Sequence, residues 1–153
     1  VWKHYSRKSE VYQMSLNMSV VQRQAFLADL HVGVVSIPRQ TKGPLTVPIW
    51  YDYTPDGEVW MITDRDSIKG KLLARAERIS LCAQTETAPY QYVSIEGPFT
   101  TRETTAEELL HMAIRYLGDV GGRAYASNAG QGSSMVVSIT PQTWYTVDYN
   151  QLS

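Results

Sequence analysis

Apolar residues along this chain alternate with polar ones in short runs more often than they recur at helical spacing. Runs rich in β-branched and aromatic residues cover His31 to Ile37, Leu45 to Tyr53, Glu58 to Thr63, Ile79 to Thr85, Tyr90 to Thr101, Met135 to Thr140 and Thr143 to Tyr149. Each predicts a strand. Turn chemistry separates them: Arg39 to Pro44 carries Gly and Pro, and Thr54-Pro55-Asp56-Gly57 has both where a hairpin turn wants them. Three other segments read as helices. Ser19-Val20-Val21-Gln22 is a capping box opening a helix that ends near Asp29, and Thr104-Thr105-Ala106-Glu107 opens another that ends near Leu117 at the natural stop Gly118. In the latter, Leu109, Leu110, Ala113, Ile114 and Leu117 form one amphipathic face, expected to lie against a sheet. A short helix from Ile68 to Ala76 carries Ile68, Leu72 and Leu73 on its apolar side. Between Gly118 and Ser134 the chain is rich in Gly, Ala and Ser, which predicts a mobile loop, at most a flexible lid.

The resulting order, β-β-β-α-β-β-α-β-β, lacks the strand–helix alternation of a doubly wound parallel sheet. Six or seven mostly antiparallel strands closed into a small barrel with flanking helices leave few exposed edges and are the simplest solution. At 153 residues the chain fits one domain. The expected division is an arm over residues 1–18, the barrel over 19–149 and a short tail over 150–153. The arm shows no clear period and either packs on a partner or lies outside the fold proper.

Fourteen basic and fifteen acidic residues give a net charge of −1, and no run of like charge makes a nucleic-acid or anionic-membrane footprint. A single cysteine, Cys82, excludes an internal disulfide and suits a reducing, cytoplasmic setting. Its apolar surroundings mark it as a buried small hydrophobe rather than a nucleophile. No window is long and apolar enough to span a membrane, and no signal peptide is visible. His4, His31 and His111 lack metal-ligand spacing, so no metal is expected. No Ser/His/Asp arrangement, paired-carboxylate motif or Cys-x-x-Cys is present.

Candidate chemistry concentrates between Thr63 and Lys71, T-D-R-D-S-I-K-G-K, which sets hydroxyls and two ammonium groups between a strand and a helix. Amides of the helix's first turn face any bound anion there, so the stretch suits a phosphorylated cofactor. The plainer alternatives are that Ser67 only caps the helix and that Lys69 and Lys71 are solvated.

Phe26-Leu27-Ala28-Asp29-Leu30-His31-Val32-Gly33-Val34, Val47-Pro48-Ile49-Trp50, Ser67-Ile68-Lys69 and Tyr92-Val93-Ser94-Ile95-Glu96-Gly97 follow one another in an order that resembles the pyridoxamine-phosphate-oxidase-like split β-barrel family. With Arg115-Tyr116-Leu117-Gly118 and Ile139-Thr140-Pro141-Gln142-Thr143-Trp144, the likeness narrows to the B group of flavin/deazaflavin oxidoreductases, which use coenzyme F-420. It spans about residues 19 to 149 and implies an FMN-binding-type split barrel that is a homodimer, with cofactor sites at the interface and a small organic molecule as hydride acceptor. It further implies that Ser67 and Lys69 hold the cofactor phosphate, with Thr63 beside them, Ile68 between them and Lys71 as a second cation. Pyridoxamine phosphate oxidases themselves carry arginine where this chain has Ile68, and they supply flavin-binding cations from the second strand. Val47 to Asp52 offers no cation. The resemblance therefore implies a deazaflavin over FMN, with Val47, Pro48, Ile49 and Trp50 as an apolar platform for its ring. Tyr90 and Tyr92 share a strand face and are substrate candidates; Trp144 belongs to the interface or site rim. The implied function is an F-420(H2)-dependent reductase, the alternatives being an FMN-dependent oxidoreductase, a haem-binding split barrel and a non-catalytic F-420 carrier.

Overall fold

A computed structural model describes residues 16–130 and 132–152; the N-terminal arm up to residue 15, His4 included, lies outside them. Helix α1, Val20–Ala28, starts where expected: Ser19 Oγ accepts from the Gln22 amide at 3.1 Å and Gln22 Oε1 accepts from the Ser19 amide at 2.8 Å. Strands β1 (Gly33–Ile37), β2 (Leu45–Ile49), β3 (Tyr51–Tyr53) and β4 (Val59–Asp64) follow. After the short helix α2, Ile68–Leu73, come β5 (Arg78–Gln84) and the long β6 (Gln91–Glu103). Helix α3 spans Ala106–Ala129, and β7 (Ser134–Ile139), β8 (Thr143–Asp148) and a 3-10 turn at Tyr149–Leu152 complete the described chain. Every strand pairing is antiparallel.

The sheet runs β2-β1-β5-β6-β7-β4-β3, with β8 added to β6. Strand β6 belongs to both layers, since Gln91–Glu96 pairs with β8 and Phe99–Glu103 with β7. Its curl brings alternate residues inward. Val35, Ile37, Leu81, Val93 and Ile95 meet Val59, Met61, Val137 and Ile139 in one core, closed by Leu27, Tyr51 and Leu73. Each such side chain contributes about 1.5–3 kcal/mol relative to exposure. The fold is thus the mainly β split barrel with flanking helices that the sequence predicts.

The expected Thr54–Gly57 turn forms, with Pro55 second, Asp56 at φ 67° third and the Gly57 amide donating to the Thr54 carbonyl at 2.9 Å. Three expectations need correction. The run from Leu45 to Tyr53 is two strands, broken at Trp50, so eight strands form among the described residues rather than six or seven. The α3 cap is Thr105 rather than Thr104, because Glu108, not Glu107, reaches back to the cap amide. Arg102 bonds the same Glu108 and holds its carboxyl down at about 2.

The third concerns the Gly-rich segment, which is helical through Ala129. Gly118, at φ 79° and ψ 175°, breaks α3 into a first arm (106–117) and a second (119–129). The arms fold back on each other: a Cβ on Gly122 would sit 2.5 Å from the Ile114 amide nitrogen. Met112 and Ala113 are buried, Leu109, Leu110 and Ile114 are half-buried, and Leu117 is exposed. Part of the predicted apolar face therefore packs on the second arm instead of the sheet. Leu16 and Met18 are buried, and the Met18 amide donates to Thr146 Oγ1 at 3.0 Å. Among the described residues, no helix is long and apolar enough to cross a membrane.

Candidate functional site

Two places carry the features picked out from the sequence, and the first is the turn between β4 and α2. Thr63, 6 % exposed, ends the strand with its hydroxyl 3.5 Å from Ser67 Oγ. Ser67 Oγ donates to the Asp64 carbonyl at 2.6 Å and accepts from the Gly70 amide at 3.1 Å, so it does cap α2. The amides of Ile68 and Lys69, in the first turn, are left for an outside acceptor. Ser133 Oγ and the Asp66 amide both donate to the Asp64 carboxylate, which holds its pKa below the usual range and fixes the turn against the start of β7. Gly70 is buried, because a Cβ there would collide with the carbonyls of Asp64 and Arg65. Lys69 is half-buried and forms no ion pair among the described residues. Ile68 and Lys71 are exposed, and Lys71 lies beside Arg75 on the far flank of α2.

The second place is a seam at Trp50, where the chain leaves β2 and enters β3 at the opposite end of the sheet. The break strips the local backbone of strand partners, and the first arm of α3 replaces them. Tyr116 Oη accepts from the Tyr51 amide at 3.0 Å and donates to the His31 carbonyl at 2.6 Å. Arg115 donates to the carbonyls of Tyr51, Ala28 and Asp29 at 3.1–3.2 Å and meets Asp52 at 3.3 Å. His111 adds a 2.6 Å contact to the same Asp52 carboxylate. The C-terminal carbonyls of α1 are satisfied here too, since Tyr51 Oη donates to Leu27 O at 2.8 Å and His31 Nε2 lies 3.1 Å from Phe26 O. Burial pushes the Tyr51 and Tyr116 phenols up and the His31 imidazole down, so all three are neutral near pH 7. Trp50 is half-buried, stacked on Tyr116 with ring centroids 5.0 Å apart and an interplanar angle of 5°, and tilted against Tyr125 at 5.5 Å.

The other proposed platform residues diverge. Val47 and Ile49 turn into the core, whereas Pro48 faces outward in a row with Val34, Cys82, Ser94 and Tyr145 across β2-β1-β5-β6-β8. No residue of that row is fully buried. Cys82 is half-buried there, and burial raises its thiol pKa, so it is no thiolate. Tyr90 and Tyr92 are exposed. Trp144 packs on the core edge-on to Tyr53, with the Arg23 guanidinium 4.4 Å above its ring. Among the described residues no hydrogen bond or ring contact joins residues 47–50 to the Ser67 turn. No cluster of potential metal ligands exists among the described residues.

Arg115 and Tyr116 carry the seam, and neither was singled out from sequence by its chemistry. An Arg-Tyr pair one residue short of the helix-breaking Gly118 was the available signal.

The pyridoxamine 5'-phosphate oxidase family profile matches residues 22–148, nearly the whole described domain. The chain belongs to that family. No curated protein matches the sequence. Among solved structures, a conserved hypothetical protein from Mycobacterium tuberculosis is similar at a TM-score of 0.75 and 21% identity, covering 90% of this chain and 89% of its own. An F420 reductase is similar at 0.68 and 13% identity over 80% and 94%, and an FAD-binding protein from Mesorhizobium loti at 0.61 and 13% over 84% and 94%. At these identities the likenesses establish the shared fold. Within the family fold, this chain's Ser67 turn supplies hydroxyls, free amides and one lysine, and its seam supplies aromatic rings but no cation between Val47 and Asp52.

Proposed function

We propose that the chain binds coenzyme F-420 and is an F-420(H2)-dependent reductase acting on an unsaturated or quinone-like organic acceptor. The observation that carries this reading is Lys69. It is half-buried, forms no ion pair among the described residues, and stands beside the open amides of Ile68 and Lys69. That donor set suits a phosphate. Thr63 and Ser67 fix the turn, and Lys71 adds charge from outside. A reduced deazaflavin supplies hydride from its own ring, so the chain's task is to bind, orient and exclude water. The lack of a catalytic triad or carboxylate pair agrees with that division. The aromatic seam around Trp50, without a cation from Val47 to Asp52, supports a deazaflavin over FMN.

The chain acts as a homodimer on this reading, since among the described residues no hydrogen bond or ring contact of one chain joins residues 47–50 to the Ser67 turn. The incompletely buried outer face of β2-β1-β5-β6-β8 is the surface offered to a second copy. Tyr90, Tyr92 and Trp144 then belong to the substrate side or the interface. A cytoplasmic setting suits the single Cys82 thiol. Titration of the purified protein with F-420 and with FMN, followed by fluorescence, tests the cofactor. Tight F-420 binding, weak FMN binding and hydride transfer to a quinone are expected. Tight FMN binding with no F-420 binding would move the chain to flavin chemistry, and F-420 binding without turnover on any acceptor would make it a carrier.

A further inference from the structure

The second arm of α3 is tied to the molecule by very little. Its ion pair, Arg123 with Asp119 at 3.0 Å, is internal, and so is the bond from Ser127 Oγ to the Arg123 carbonyl. Among the described residues, no hydrogen bond or ion pair joins residues 119–129 to any other element. Within α3 it packs on the first arm, with Gly122 against Ile114 and Gly121 beside the Leu117 Cβ, and beyond α3 its ring contact is Tyr125 against Trp50. Glycines at positive φ stand at both ends, Gly118 at 79° before the arm and Gly130 at 61° and Gly132 at 39° after it. Beyond them the chain is clamped again, by the Ser133 bond to Asp64. A helix between glycine joints, packed on its own first arm and meeting the rest of the fold through one ring contact among the described residues, has the build of a hinged part.

We propose that the 119–129 arm is a hinged cover in which Tyr125 closes over Trp50 and yields that place to a planar aromatic ligand. This rests on the reading of Trp50 as part of the ring site. One side of the indole is stacked in parallel by Tyr116, whose hydroxyl is locked into the seam, so that neighbour stays. Tyr125 only tilts against the ring, at 54°, and is 45 % exposed. A flat ring stacking on Trp50 gains a better geometry than the phenol it displaces. Tyr125 thereby becomes a specificity-determining residue, favouring ligands flat enough to replace it.

Hydrogen exchange on the intact protein, with no F-420 present, tests this. The second arm should exchange at least about ten-fold faster than residues 106–117. Tyr125→Ala should speed exchange in 119–129 several-fold further while leaving 106–117 unchanged, and Tyr125→Phe should restore the wild-type rate. Saturating menadione, a planar quinone, should raise exchange in 119–129 of the wild type and have no such effect in Tyr125→Ala. Equal rates in both arms, or a Tyr125→Ala effect spread over both, would overturn the hinge. An arm indifferent to menadione at its solubility limit would overturn the ligand exchange. Because F-420 is absent throughout, a failed cofactor assignment would show in the separate titration and not here.

Discussion

The Ser67 turn and the Trp50 seam hold their backbones in opposite ways. Most bonds of the turn join neighbours, with Ser67 Oγ reaching Asp64 O and Gly70 N three residues away on either side. The hydrogen bonds that Arg115 and Tyr116 make at the seam cross 64 to 87 residues, from Arg115 to Tyr51 and to Ala28 at the extremes. The turn spends its hydroxyls on its own geometry and leaves a lysine and two amides unclaimed. At the seam the polar side chains are consumed by carbonyls and by Asp52, which leaves the aromatic rings as its ligand-facing chemistry. A fold that fixes a site with local bonds keeps its charge for the ligand, whereas one that fixes it with distant side chains turns those side chains into structure.

That contrast predicts that seam substitutions cost stability and that a substitution of the turn's free cation costs ligand affinity. Arg115→Ala should be the most damaging, at about 2–4 kcal/mol in urea unfolding, because it strands the carbonyls of Ala28 and Asp29 and takes one partner each from the Tyr51 carbonyl and the Asp52 carboxylate. An unchanged midpoint would mean that water serves those carbonyls equally well. Gly70→Ala should cost about 1–3 kcal/mol by pushing α2 off the end of β4. Tyr116→Phe keeps the stacked ring and loses only the hydroxyl, so about 1–2 kcal/mol is expected, and a larger loss would show that ring position depends on the hydroxyl.

The smallest effect is with pH. Burial lowers the His31 pKa, so its stabilising contribution is fully present above the ordinary imidazole range and is lost as pH falls through the depressed value. His31→Phe should retain the stacking on Phe26 and flatten the wild-type decline in stability between pH 7 and pH 5. Identical pH profiles for the two proteins would remove His31 from the seam's acid sensitivity.

The same difference in sequence span decides what could be read beforehand. The Ser67 cap, the Ser19 capping box and the alternation of β1, β4 and β5 are written within a few residues each, and they appear where expected. Trp50's strand break is not visible locally, because Leu45 to Tyr53 reads as one β-forming run and the break exists only once Tyr116 and Arg115 arrive to serve its backbone. Residues 119–129 have the glycine content of a loop and fold as a helix, since Gly122 lets the arm press on Ile114 and packing overrides propensity. Val47, Pro48 and Ile49 read as one platform, yet strand alternation sends their side chains to opposite faces.

The most direct test is an F-420 titration of Lys69→Ala beside the wild type, with urea unfolding of both. Affinity should fall by about 1.5–3 kcal/mol, the range for a charge-assisted hydrogen bond, while the unfolding midpoint stays where it was. Equal affinity in the two proteins would contradict the assignment of the Ser67 turn as the phosphate site.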